Sequence, residues 1–172
     1  MLKWLWLAVV VIVLDQASKI WASAELQYHV PVYVVSFINW FLAHNTGAAF
    51  SFLSEAGGWQ RWFFVGLASV VSVLIFFWLK SLPRDQKWLA VALVLILGGA
   101  IGNAIDRALY GYVVDFIQFY YLADSSCLLG FYFTGTQCNW PAFNIADAAI
   151  VGGAAVMIID GLFGSSGKES EK

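Results

Sequence analysis

The chain of 172 residues is 61% hydrophobic and 12% charged, with a mean hydropathy of +0.76. Soluble domains carry roughly 25% charged residues, so the composition excludes a soluble globular protein and points to an integral membrane one. A net charge of −2 leaves no basic footprint for nucleic acid, and the length fits a single membrane domain, residues 1–172, with no separate soluble one.

The first apolar run, about residues 4–21, is clean in its first half and then carries Asp15 and Lys19. It begins like a secretory signal, with Lys3 ahead of the run and Ala22-Ser23-Ala24 as a cleavage site. Asp15, Gln16 and Lys19 interrupt the stretch before that site, so the run is read as a retained span. Asp15 and Lys19 are four apart, acid before base, the favourable order for an ion pair along one helix.

Residues 22–61 follow as an outer segment. Its stretch 28–35 is rich in β-formers, is too short to span as a helix, and reads as a small surface sheet. It leads into Asn45-Thr46-Gly47, where turn chemistry and a site role both remain open. Two spans come next, about 62–79 and 88–106, uncharged except for Asp106 at the end of the second; ~18 residues at 1.5 Å each reach about 27 Å, enough for the hydrocarbon core.

The third span runs into Asn103, Asp106 and Arg107, with Asp115 soon after. Each ionisable group at mid-membrane costs about 2.5–3.5 kcal/mol on insertion scales, so a use for them is expected. The bland alternatives are amide hydrogen bonding between helices for Asn103 and Asn144, snorkelling for Arg107, and close helix approach for Gly98, Gly99 and Gly102. Residues 108–141 form a second outer segment rich in Tyr and Phe, containing Cys127 and Cys138. A fourth span, about 142–163, carries Asp147 near its start and Asp160 near its end, and a polar tail, 164–172, reads as disordered.

Placing both termini in the cytoplasm collects Lys3, Lys80, Arg84, Lys87, Lys168 and Lys172 on that side, against Lys19, Arg61 and Arg107 on the other. In this frame Asn103 rises about 23 Å from the start of its helix and Asp147 lies about 9 Å below the outer rim. The polar groups therefore converge on the outer leaflet, Asp160 excepted. Two acids in reach of each other share a proton, which supplies a base for water and an acid for a leaving amine. Spacing alone leaves an Asp115–Asp147 dyad and a proton pathway of a coupled transporter both open, with a non-catalytic scaffold as a third reading. His29 and His44 are the only histidines and no HExxH or CxxC occurs, so no metal centre is expected.

Five ordered motifs then narrow the choice: Asp15-Gln16-Ala17-Ser18-Lys19, Asn45-Thr46-Gly47-Ala48-Ala49-Phe50, Gly98-Gly99-Ala100-Ile101-Gly102-Asn103-Ala104-Ile105-Asp106-Arg107, Val113-Val114-Asp115-Phe116 and Phe143-Asn144-Ile145-Ala146-Asp147. Together they resemble the lipoprotein signal peptidase (signal peptidase II) family of bacterial inner-membrane aspartyl peptidases, over nearly the whole chain. The resemblance implies a catalytic dyad of Asp115 and Asp147, with substrate contact or site support from Asp15, Lys19, Asn45, Gly47, Asn103, Arg107 and Asn144. It implies cleavage of a prolipoprotein immediately before its diacylglyceryl-modified cysteine, with membrane lipids as the other partner and no cofactor; a monomer is expected. The stretch between Asp115 and Asn144 is longer than the family pattern. Its two cysteines, on the oxidising side, are a candidate disulfide, with two separate thiols as the alternative. The expected fold is an all-α integral membrane bundle of four transmembrane helices with a small extracytoplasmic β region.

Overall fold

The computed structural model describes residues 1–47, 58–123, 126–128 and 131–163. The tail expected to be disordered, and Ala48, Ala49 and Phe50 of the second motif, lie outside the described residues. Four helices are long and apolar enough to cross a membrane: α1 (Leu5–Glu25, entered through a 3-10 turn at Leu2–Trp4), α2 (Gln60–Ser81), α3 (Lys87–Tyr110) and α4 (Ile145–Phe163). Among the described residues five antiparallel strands accompany them: β1 (Val32–Val35), β2 (Ile38–Asn45), β3 (Val113–Leu122), β4 (Tyr132–Thr134) and β5 (Gln137–Asn139). The residues group into two compact units, one of 1–15, 64–105 and 145–172, the other of 16–63 and 106–144.

The first unit is helical. Its core is Ala8, Ile75, Leu79, Leu82, Ala90, Leu93, Val94 and Leu97, contributed by α1, the α2 end with the turn after it, and α3. Val9, Val13, Val70, Leu74, Phe77 and Ile158 are exposed instead, as expected where hydrocarbon rather than water surrounds a helix. Small residues bring the helices close. A Cβ on Gly98 would stand 2.9 Å from that of Val11, one on Gly153 would stand 2.6 Å from the Ala92 carbonyl, and one on Gly99 would run into the Ala146 carbonyl. The packing role read for Gly98, Gly99 and Gly102 is thus met by specific neighbours.

The second unit carries a five-stranded sheet, ordered β1-β2-β3-β5-β4. Here the structure corrects the sequence reading. The first outer segment gives only two strands, and the aromatic-rich second segment gives the other three. The sheet also curls: Gln137 on β5 donates to the Tyr33 hydroxyl on β1 at 2.9 Å, although two strands lie between them. Residues 142–144 are not helical as expected, because Phe143 is hydrogen-bonded to Ile117 in both directions at 2.9 Å, and α4 starts only at Ile145. The helix α3 stops at Gly111, whose N–H bonds the Arg107 carbonyl at 3.1 Å and whose φ of 86° suits a residue without Cβ.

Cys127 and Cys138 form a disulfide, with a sequence separation of 11. Cys138 is fully buried on β5, opposite Tyr121 of β3, and the Leu128 N–H donates to the Tyr121 hydroxyl at 2.6 Å. The bridge thus ties the loop after β3 onto the sheet. Closing a loop of this size restricts the unfolded chain by about 3 kcal/mol in the chain-entropy model. The Cys127→Ser/Cys138→Ser protein should therefore melt measurably lower than wild type in the same detergent, while wild type treated with dithiothreitol should converge on it. Equal melting temperatures would show that the bridge carries no stability.

Candidate active site

The polar residues singled out in the sequence are found in both units. In the helical unit, Asn103 near the end of α3 donates its amide to Asp147 Oδ1 at 2.7 Å. Asp147 lies in the first turn of α4, the positive end of that helix dipole, where a carboxylate is favoured. Asp15 accepts the Ala146 N–H at 2.9 Å, one of the amides that a helix start leaves without an internal partner. Gly102 leaves room for this: a Cβ there would approach Asp15 Oδ2 to 2.7 Å.

In the sheet unit, Asp115 is 2% exposed on β3. Its Oδ1 accepts the Asn144 amide at 2.7 Å and its Oδ2 the Asn45 amide at 3.2 Å. Asn144 also reaches the Val114 carbonyl at 3.3 Å. A buried carboxylate without such donors would be strongly penalised, so the two asparagines are what let an acid occupy this strand. Asn45 uses both of its side-chain polar atoms. Its Oδ1 accepts the Gly47 N–H at 3.0 Å, which shapes the turn, while its amide serves Asp115. Arg107 does more than snorkel: its guanidinium donates to the Gly47 carbonyl at 2.7 Å and holds the far side of the same turn.

Lys19 forms an ion pair with Asp106, 2.9 Å away, with the two side chains 3% and 1% exposed. Asp106 also accepts the Gln16 amide at 2.9 Å and the Val114 N–H at 3.0 Å. These residues line a cavity of about 370 Å³ together with Ser23, Tyr110 and Tyr112. Asp106 and Gln16 were not among the site residues read from sequence. The available signal was their place inside the first and third motifs, each next to or near a residue that was selected.

An aromatic stack flanks Asn45. The His44 ring lies 4.0 Å from Tyr112 and 4.8 Å from Tyr28, and Tyr28 in turn stacks on His29. Burial lowers the His44 pKa below its ordinary value, and the nearby His29 lowers it further. On β4, burial raises the Tyr132 pKa, partly offset by the hydrogen bond from Gln118. For His44 the unfolded chain takes up the proton first as pH falls, so its contribution to stability is intact above about 6.5 and declines below it. Thermal unfolding between pH 7.5 and 5 should show a shallower decline in His44→Gln than in wild type; parallel curves would remove His44 as a cause.

The family profile described as "Signal peptidase (SPase) II" matches residues 7–163. The chain belongs to this family. It is 52% identical over 162 residues to a lipoprotein signal peptidase of Acinetobacter baumannii, covering 94% of this chain and 84% of that one. It is 47% identical over 171 residues to the lipoprotein signal peptidase of Alteromonas mediterranea, covering 99% and 86%. A third, from Xanthomonas euvesicatoria, is 50% identical over 169 residues, covering 98% and 90%. Among solved structures, a bacterial membrane enzyme at 28% identity superposes with a TM-score of 0.79, covering 99% of this chain and 93% of that one. The chain is thus a multi-pass membrane protein of a peptidase family, and the motif residues described above all lie within the matched span.

Proposed function

We propose that this signal peptidase II family member removes the signal peptide of prolipoproteins, cleaving before the diacylglyceryl-modified cysteine with Asp115 and Asp147 as an aspartyl dyad. The observation that carries the reading is the treatment of the two acids. Each accepts an asparagine amide at 2.7 Å, Asp115 from Asn144 and Asp147 from Asn103. Asn144 precedes Asp147 by three residues, so the segment that binds one carboxylate also supplies the other.

In the proposed reaction one carboxylate takes a proton from water as it attacks the scissile carbonyl. The other, protonated, gives its proton to the departing nitrogen, and the carbonyl carbon leaves as the carboxylate of the signal peptide. Such proton transfers commonly contribute 10²–10⁴-fold, and the remainder comes from positioning and from polar donors beside the developing charge. Among the described residues no three His, Cys, Asp or Glu side chains group as metal ligands, so cleavage is expected to survive EDTA. Placement in the bacterial inner membrane, termini in the cytoplasm and the site toward the outer leaflet, completes the proposal. It is supported by the basic residues at the termini and after α2.

The test is direct. Purified full-length protein is incubated with a diacylglyceryl-modified prolipoprotein and with the same precursor lacking the lipid. Release of an intact signal peptide from the modified precursor alone is the expected result. Cleavage of both alike, cleavage elsewhere, or none would overturn the reading, as would loss of activity in EDTA that zinc restores.

A further inference from the structure

Asp160 is the one ionisable residue of the apolar spans that the chemistry above leaves unused. It sits half-buried in the last turn of α4, in a cavity of about 460 Å³ lined by Trp88, Val156, Ile159 and Phe163. All five residues belong to the helical unit. The last turn of α4 has no basic residue, so the carboxylate adds its charge to the negative end of a helix dipole. A compact cation is favoured beside that carboxylate. The α3 residue on the cavity is Trp88, in the first turn of that helix, whose positive dipole end favours an anionic group. Trp88 and Phe163 are 68% and 73% exposed, an aromatic pair at the end of two spanning helices, as at a membrane interface.

We infer that this cavity is a binding site for a phospholipid with a primary-amine headgroup, its ammonium on Asp160, its phosphate toward the α3 start. The acyl chains would lie on Val156, Ile159 and Phe163. The site distinguishes headgroups chemically. A primary ammonium donates up to three hydrogen bonds and can approach a carboxylate closely, whereas a choline carries methyl groups and donates none. Trp88 contributes a ring face to either cation.

The experiment uses the full-length protein in detergent, offered equal amounts of dioleoyl phosphatidylethanolamine, its N-methylated series and dioleoyl phosphatidylcholine, with retained lipid counted by native mass spectrometry. Wild type should retain the primary amine over the choline by about threefold to tenfold, falling with each methyl group, the range expected for one cation at a helix C-terminus. Asp160→Asn should lose the preference while holding phosphatidylcholine as well as before, and Asp160→Glu should keep it. Equal retention across the series by wild type would overturn the proposal, and so would an undiminished preference in Asp160→Asn. A preference that emerges only after removal of residues 164–172 would assign the site to the chain's own Lys168 or Lys172 and overturn it too. If Asp160→Asn does not fold, the methylation series on wild type and Asp160→Glu still decides.

Discussion

Asp115→Asn and Asp147→Asn should each bring prolipoprotein cleavage to the uncatalysed background while the protein still purifies as a folded monodisperse species. The change is isosteric. At Asp147 the Asn103 amide can donate to the new carbonyl oxygen, and at Asp115 the Asn144 amide can do so while the Asn45 amide then faces the new NH2. Folding should therefore lose little at Asp147 and somewhat more at Asp115. What is lost is the group that gains or gives up a proton, and a dyad acts as a unit, so the double variant should be no worse than either single one. Asn144→Ala and Asn103→Ala form the graded comparison. Each removes a donor while leaving the acid, so activity should fall by about 10²-fold or less, the scale of one positioned polar donor. Initial rates of peptide release, with circular dichroism as the folding control, separate the cases. Appreciable cleavage by either Asp→Asn protein would remove the dyad, whatever the asparagine variants do.

The asparagines also mark how far the sequence could be read. The four spans were legible because apolar runs of this length have few alternatives, and the motif residues because polar groups inside such runs are costly. Boundaries failed where long-range pairing decided them. Nothing near residues 142–144 announces that Phe143 will spend both backbone groups on Ile117 and delay α4. The second half of the sheet failed similarly. Strands of three residues such as β4 and β5 carry almost no period, and they hold their place through β3, the turn at Gly135 and the Cys127–Cys138 bridge. Asn45, read as either turn or site, shapes the turn through its Oδ1 and also donates to Asp115 through its amide, two side-chain atoms with different partners. The Lys19–Asp106 pair was not legible, because a spacing rule along one helix cannot see Asp106 on α3.

The Lys19–Asp106 pair yields the largest expected effect on stability. Lys19 and Asp106 are nearly inaccessible, and removing one member of a buried ion pair typically costs about 3–5 kcal/mol, because the other charge is left without its counterion. Lys19→Met should therefore melt far below wild type. It leaves Asp106 with the Gln16 amide and the Val114 N–H, two dipoles in place of a full charge. Asp106→Leu should also be weakened, since Lys19 loses the carboxylate 2.9 Å away. The double variant Lys19→Met/Asp106→Leu should recover part of the loss, since no charge of this pair remains to be solvated. Activity separates packing from positioning. The Asp106 carboxylate fixes the Val114 N–H one residue before Asp115, so the double variant should regain stability without regaining full turnover. Its kcat should stay depressed at temperatures where it is fully folded. Thermal unfolding followed by tryptophan fluorescence, with cleavage assayed well below each midpoint, measures both. A double variant less stable than either single one would mean that the pair is not what these side chains contribute, and full turnover in it would free Asp115 from any dependence on Asp106.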